Sequence, residues 1–402
     1  MSFIMRMYCR FYHFCLKFAL YIYPMPRPQV FNSRELDNWC GMLIQKRIQR
    51  VLLVTDEGIC QLALQQKIVD LLEQKNIQVT LFSSITPDPD IQQIELGFEQ
   101  YLTHQCQAVI ALGGGSVIDG AKLICVRVAR PKTSLKKLKG LFKVMRRLPI
   151  LTAIPTTAGT GSETTVAAVV SDKQTKSKFA IADYCLMPNY AVMMPELTTG
   201  LPKQLTVTTA LDALTHAVEA YIGINGSAFT DKQALKACKL ILTYLPIVME
   251  RPNDLNAREQ LLFASFYAGE AFTRTSVGYV HAIAHQLGAQ YRVPHGLANS
   301  VLLDVVLKEY GAIIEHKLAE IDDYVFGFEN PLNRVSDRAL RVITAIENIK
   351  LLGEIACNFE VINECDVDKL AEHAFNEAHP DYPVPAFWSK QRIAKVIRKV
   401  KA

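Results

Sequence analysis

The chain of 402 residues carries 44 Lys and Arg against 39 Asp and Glu, and half of it is hydrophobic. A net charge of +5 over this length is too small for a dedicated nucleic-acid binder, and the composition is that of a globular enzyme of two or three domains. Ten cysteines without a CxxC pair, and no run of eighteen uncharged apolar residues, argue against zinc ribbons, a disulfide framework and a spanning helix, and for a reducing, cytoplasmic compartment.

Residues 1–24 predict a helix that ends before Pro24. Arg6, Arg10, His13 and Lys17 fall on one narrow stripe, and Phe3, Met7, Phe11, Phe14 and Phe18 lie largely on the other side. Charges interrupt the apolar run and no small-residue cleavage site follows, which disfavours a secretory signal, while scarce Ser weakens a transit peptide. Two readings stand: a helix packed on its own protein or on a partner subunit, or an in-plane helix peripheral to the inner face of an anionic membrane.

From about Arg50 short apolar runs alternate with helical patterns. RVLLVTD, IQVTLFSSI, QAVIALGGG, LPILTAIPTT and the stretch around YAVMMP read as strands. ALQQKIVDLLEQKN and DIQQIELGFEQYLTHQ read as helices between them. This rhythm predicts a parallel α/β sheet over residues 25–200. GGGSVIDGAK follows the third strand and opens a helix. Glycines at that turn let backbone approach a ligand closely, the helix start offers free N–H groups to a phosphate, and Ser116 adds a hydroxyl. PTTAGTGSETT, after a later strand, has the composition of a loop lining a crevice at strand ends. Asp56 closes the first of these strands, where an acidic side chain can take both ribose hydroxyls and so favour NAD over NADP. A strand-end Asp is also a common helix cap. The basic stretch KTSLKKLKGLFKVMRR reads as a solvated face, and so does the C-terminal RIAKVIRKVKA.

After Leu201 strand patterns stop, and spacings of three and four predict a helical domain from 201 to 402, punctuated by Pro246 and Pro294. Within it, ALDALTHAVEAY places Asp212 and His216 four apart on one helix face. VGYVHAIAHQLG does the same for His281 and His285, and His295 follows Pro294. One carboxylate and four imidazoles without a nearby thiolate suit a catalytic divalent metal such as iron, zinc or nickel. Spacing does not say which residues ligate, and by itself favours the His281/His285 pair.

GGGSVIDGAK, PTTAGTGSETT, LPKQLTVTTALDALTHAVEAY and GYVHAIAHQLGAQYRVPHG, in this order, resemble the iron-containing (group III) alcohol dehydrogenases from about residue 25 to the C-terminus. The resemblance implies a Rossmann-like nucleotide-binding domain, then an all-helical metal-binding domain, with metal and nicotinamide in a cleft between them. It implies Asp212, His216, His281 and His295 as ligands of Fe2+, Zn2+ or another divalent metal, and places His285 beside nicotinamide and substrate to move the proton. It implies that Gly113, Gly114, Gly115 and Ser116 hold the NAD pyrophosphate with Asp119 close by. Thr156, Thr157, Thr160 and Thr165 would line the cofactor, Lys178 would lie near it, and Asp56 stands where NAD-preferring members carry Asp. A homo-oligomer acting on a small alcohol or aldehyde is expected, with no nucleic-acid partner. The chain departs from the family at Met194, where Asp is usual before Pro195, at Ala210, where Gly is frequent, and at Asp88, where Asn is frequent. The competing expectations are glycerol dehydrogenase or dehydroquinate-synthase-like chemistry on the same fold, a metal-dependent hydrolase using no nucleotide, and an inactive scaffold.

Overall fold

The computed structural model describes residues 1–175, 177–327 and 334–402. It falls into two units: Pro26–Gly200, and Met1–Met25 together with Leu201–Ala402.

Among the described residues, nine strands occur in the first unit: β1 Gln29–Asn32, β2 Arg50–Val54, β3 Gln78–Phe82, β4 Ala108–Gly113, β5 Gly140–Leu141, β6 Ile150–Pro155, β7 Ala167–Asp172, β8 Ser177–Ala182 and β9 Tyr190–Met193. Six of them form one sheet in the order β1-β9-β6-β4-β2-β3, with every neighbouring pair parallel. Side chains alternate between two cores. Leu52, Val54, Val109 and Ala111 enter one, while Val51, Leu53, Ile110 and Leu112 enter the other. A sheet covered on both faces explains why β4 reads as an unbroken apolar run rather than an alternating one. The chain leaves β2 for β3 on one side and then returns to β4 on the other. The carboxyl ends of β2 and β4 are therefore a switch point, where open α/β sheets bind their ligands. Asp56 follows β2 there, and the glycine turn follows β4.

The sequence reading missed β1, which pairs with β9 across most of the unit, and a small second sheet, β5-β8-β7. β1 has four residues and β5 two, too few for a local signature, whereas β7 and β8 have six each and partly alternate in burial.

The described residues after Leu201 form helices and no strand, with a single bridge between Phe359 and Lys401. Lys203–Ile222 is buried from Ala210 to Ile222, so it is apolar around most of its circumference. Ala210 lies in its interior at 1% exposure, where alanine needs no glycine. Pro246 does not punctuate: the helix Ala228–Glu250 runs through it. Proline leaves the carbonyl of Leu242 without its helical donor, but buried Leu245 and Val248 on either side hold the turn by packing. Pro294 does mark a helix start, His295–Tyr310.

The N-terminal helix spans Phe3–Ile22 and packs against the helical unit with the side opposite to its aromatic stripe. Arg10 donates to the carbonyls of Val384 (2.9 Å) and Pro385 (3.2 Å) and lies over the Phe387 ring. His13 is buried, and its Nε2 lies 2.6 Å from the carbonyl of Pro380. Asn225 donates to the His13 carbonyl. Burial holds the His13 pKa below its ordinary value despite the Pro380 contact, so the ring is neutral and donates from Nε2. The expected basic stripe is thus split. Arg10 and His13 turn inward because the carbonyls of the proline-rich stretch 380–385 need donors that no helix supplies. Arg6 and Lys17 stay exposed. Phe3, Met7, Phe11, Phe14 and Phe18 face outward, each more than half exposed. No described helix is long and apolar enough to cross a membrane.

Candidate metal centre and nucleotide loops

The glycine turn is built by close packing. The helix Gly115–Ala129 starts at the end of β4, with Gly114 at its cap. A Cβ on Gly115 would lie 2.8 Å from the Thr160 side chain, and one on Gly113 2.6 Å from Val117. Thr160 can therefore rest on the turn only if residue 115 is glycine. Thr156 N–H donates to the Gly113 carbonyl at 3.1 Å, and Thr157 lies beside Gly114. The two polar loops found in the sequence are thus one packed assembly.

Lys122, to which the sequence reading gave no role, ties that assembly together. Its fully buried ammonium reaches the carbonyls of Ser162 (2.7 Å), Thr165 (2.9 Å) and Ala167 (3.0 Å) and the hydroxyls of Thr165 (2.7 Å) and Ser162 (3.2 Å). Asp119 accepts from Ser162 Oγ at 2.6 Å and from Val169 N–H at 2.9 Å. Burial lowers the Lys122 pKa to about 8 against the pull of Asp119 and Glu163, and raises that of Asp119. The side chains of Asp119 and Thr165 thus bond within this network. Ser116 Oγ accepts from Asp88 N–H at 3.4 Å, and the Asp88 carboxylate pairs with Lys178 at 2.6 Å. Asp88 takes a positive φ of 59°, a conformation asparagine and aspartate tolerate better than most residues, so the exchange with the family's Asn leaves the turn possible. Asp56 caps the helix Glu57–Gln61 by accepting from Ile59 N–H at 2.9 Å. Met194 donates no side-chain cap to the turn Pro195–Thr198 and is buried in the core instead.

In the helical unit, Asp212, His216, His281 and His295 bring one ligand atom each to within 4.8 Å of one another. Bonds of about 2.1 Å to a tetrahedral metal place ligand atoms about 3.4 Å apart; His295 Nε2 already lies 3.4 Å, and His281 Nε2 3.8 Å, from Asp212 Oδ1. The amide nitrogen of buried Asn299 stands 2.6 Å from Asp212 Oδ1, 3.1 Å from His281 Nε2 and 3.2 Å from His295 Nε2, so three of the four ligand atoms converge on one spot. The His216 ring stacks on Phe272 (4.1 Å) and on His281 (4.4 Å). Burial, reinforced by the neighbouring imidazoles, holds the His281 pKa well below its ordinary value. That ring is neutral, the form that binds a metal. A donor set of three imidazoles and one carboxylate fits a divalent first-row metal.

His285, four residues after His281, is not in the cluster. Its Nδ1 is hydrogen-bonded to Glu377, which also accepts from Gln286 and Tyr382, and its ring stacks at 5.2 Å on that of His295. Burial disfavours the charged imidazole, but the Glu377 carboxylate outweighs it and raises the pKa above the ordinary value. Burial likewise opposes Glu377, and its hydrogen bonds hold it below the ordinary carboxylate value. Spacing alone favoured His281 with His285; the structure instead gathers His281 with Asp212, His216 and His295, and turns His285 Nδ1 to Glu377.

The description "Iron-containing alcohol dehydrogenase" matches residues 26–195, and that of the "Fe-containing alcohol dehydrogenase family, C-terminal" matches 206–400. The chain belongs to the iron-containing alcohol dehydrogenase family. It is 35% identical over 364 residues to "Alcohol dehydrogenase 4" of Schizosaccharomyces pombe, covering 90% of this chain and 84% of that one. It is 32% identical over 391 residues to "1,3-propanediol dehydrogenase" of Klebsiella pneumoniae, covering 96% and 100%. Among solved structures it is similar to an alcohol dehydrogenase from Oenococcus oeni, with a TM-score of 0.87 at 28% identity over 94% of this chain and 100% of the other. The enzyme is thus an oxidoreductase of the iron-containing alcohol dehydrogenase family, acting between alcohol and carbonyl.

Proposed function

We propose that Asp212, His216, His281 and His295 bind the iron and that His285 accepts the alcohol proton. The convergence of the four ligand atoms within 4.8 Å supports this reading above all. When bound, iron supplies Lewis acidity toward the substrate oxygen and NAD supplies the hydride acceptor. His285 stands beside the His295 ring and is partly exposed. A proton taken there leaves an imidazolium that Glu377 stabilises at Nδ1, and in the reverse direction the same ring returns it. In the other unit, Gly113, Gly114, Gly115 and Ser116 offer backbone N–H groups and a hydroxyl to the pyrophosphate. Thr156, Thr157 and Thr160 line the cofactor, Asp56 takes the ribose hydroxyls, and Lys178, paired with Asp88, lies near the cofactor. Asp119 and Thr165 act one step removed, by bracing these loops. The test is anaerobic purification with metal analysis, followed by NADH-linked turnover over a panel of primary alcohols and aldehydes. Iron with turnover is expected; absence of both after iron is restored would sink the reading.

We further infer that the enzyme is cytoplasmic and touches an anionic membrane through its N-terminal helix. Residues 1–34 contain Arg6, Arg10, Lys17, Arg27 and Arg34 and no Asp or Glu. The outward face of the helix carries Phe3, Met7, Phe11, Phe14 and Phe18. Aromatic insertion with flanking Arg6 and Lys17 at the headgroups suits an interfacial helix. Co-sedimentation with anionic vesicles is expected for the full chain and not for a chain lacking residues 1–24, and should weaken in high salt. Equal, negligible pelleting of both would exclude the membrane. Concentration-dependent association without lipid, lost on the same truncation, would assign this face to a homo-oligomer instead.

A further inference from the structure

We propose that Glu219 is a positioning residue of the metal centre, acting through His281. This rests on the ligand assignment above. Asp212, His216 and Glu219 stand at i, i+4 and i+7 of the helix Lys203–Ile222, so all three project from one face. Glu219 is buried, and its carboxylate is filled by three donors from one short stretch. His281 Nδ1 lies 2.6 Å from Oε2, Gly278 N–H donates to Oε2 at 2.8 Å, and Val280 N–H donates to Oε1 at 2.8 Å.

These contacts do two things. The helix Tyr279–Tyr291 begins after Gly278, which has no side chain to cap it, and the carboxylate of another helix takes over that role for two N–H groups the helix cannot satisfy itself. The same carboxylate accepts the His281 Nδ1–H. That fixes the tautomer and the ring plane, and turns the Nε2 lone pair toward Asp212 and His295. Carboxylates behind a ligating imidazole orient it and raise its basicity. Gly278 belongs to the device: a Cβ there would lie 2.7 Å from Glu219 Oε1, so the carboxylate can approach only a glycine. The glycine of VGYVH and the glutamate of THAVEAY are thus two halves of one contact, 59 residues apart.

Three variants test this, with metal affinity read by chelator competition using zinc and with the visible spectrum of the cobalt-substituted protein. Glu219→Gln keeps shape and volume but replaces one acceptor oxygen by an amide donor. Gly278→Ala keeps the carboxylate and displaces it. Each is expected to weaken zinc binding by roughly 10–100-fold, the usual range for such outer partners, and to shift the cobalt bands. His281→Ala should weaken binding more than either. Wild-type affinity and an unchanged cobalt spectrum in both Glu219→Gln and Gly278→Ala, while His281→Ala loses metal, would overturn the positioning role even if both variants melt at a lower temperature. Full metal retention in His281→Ala would instead overturn the ligand assignment, and the proposal with it.

Discussion

The two units hold their functional groups by different means. In Pro26–Gly200 those groups sit on loops at strand ends, and hydrogen bonds to backbone fix them, with the single ammonium of Lys122 reaching three carbonyls and two hydroxyls. In the helical unit they project from helices whose backbones are already satisfied, and rings, carboxylates and packing orient them. A loop site can therefore fail through one residue that never meets a ligand. A helix site should fail through its chemistry first, with its scaffold intact.

The largest effect is expected on the helical side. His281→Ala and His295→Ala should each remove bound metal and nearly all turnover while circular dichroism reports the same helix content. His285→Ala should keep the metal and lose roughly 10²–10⁴ in rate, the range for a general acid–base. Metal loss in His285→Ala with retention in His295→Ala would reverse the assignment. Next is Lys122→Met. It leaves several buried carbonyls and hydroxyls without their cation and removes the positive charge nearest buried Asp119 and Glu163, so urea unfolding should report a loss of about 3–5 kcal/mol. NADH titration should show weaker binding at unchanged metal content. Unfolding indistinguishable from the wild type would mean that packing, not this cation, holds the loops. Smallest is Asp56→Gly, which should shift preference toward NADP by about 1–3 kcal/mol through lost repulsion of the extra phosphate. Glycine is an adequate cap for the helix after β2, so stability should fall by only a few tenths of a kcal/mol. A natural enzyme that already prefers NADP would contradict the reading of Asp56.

Much of this arrangement was legible in the sequence, for physical reasons. Buried parallel strands such as β4 are continuous apolar runs, and helix pairs at i and i+4 must share a face, so the α/β half, the helical half and the histidine segments could all be marked out. What escaped depends on where distant segments meet. β1 pairs with a strand about 160 residues away. Lys122 looked like one more polar residue of a helix until Ser162 and Thr165 closed around it. Glu219 had the i+7 spacing that could have flagged it, but its partners lie some sixty residues on. Asn299 follows His295 by four residues on one helix, a spacing that could have flagged it, whereas Glu377 had no spacing signal. The N-terminal helix misled differently. Periodicity put the aromatic residues on one side, but gave no hint that Arg10 and His13 would turn inward while Arg6 and Lys17 of the same stripe stay exposed.

That inward turn bears on how the chain can be shortened. A protein trimmed to start where the family match begins, at residue 26, would lose more than a greasy appendage. It would bare the Phe387 ring and leave the carbonyls of Pro380, Val384 and Pro385 without the donors they now have. The stretch they belong to follows directly on Glu377, the support of His285. The first two dozen residues therefore brace the stretch whose Tyr382 bonds to Glu377, and a trimmed enzyme should hold the carboxylate beneath the proposed proton acceptor less firmly.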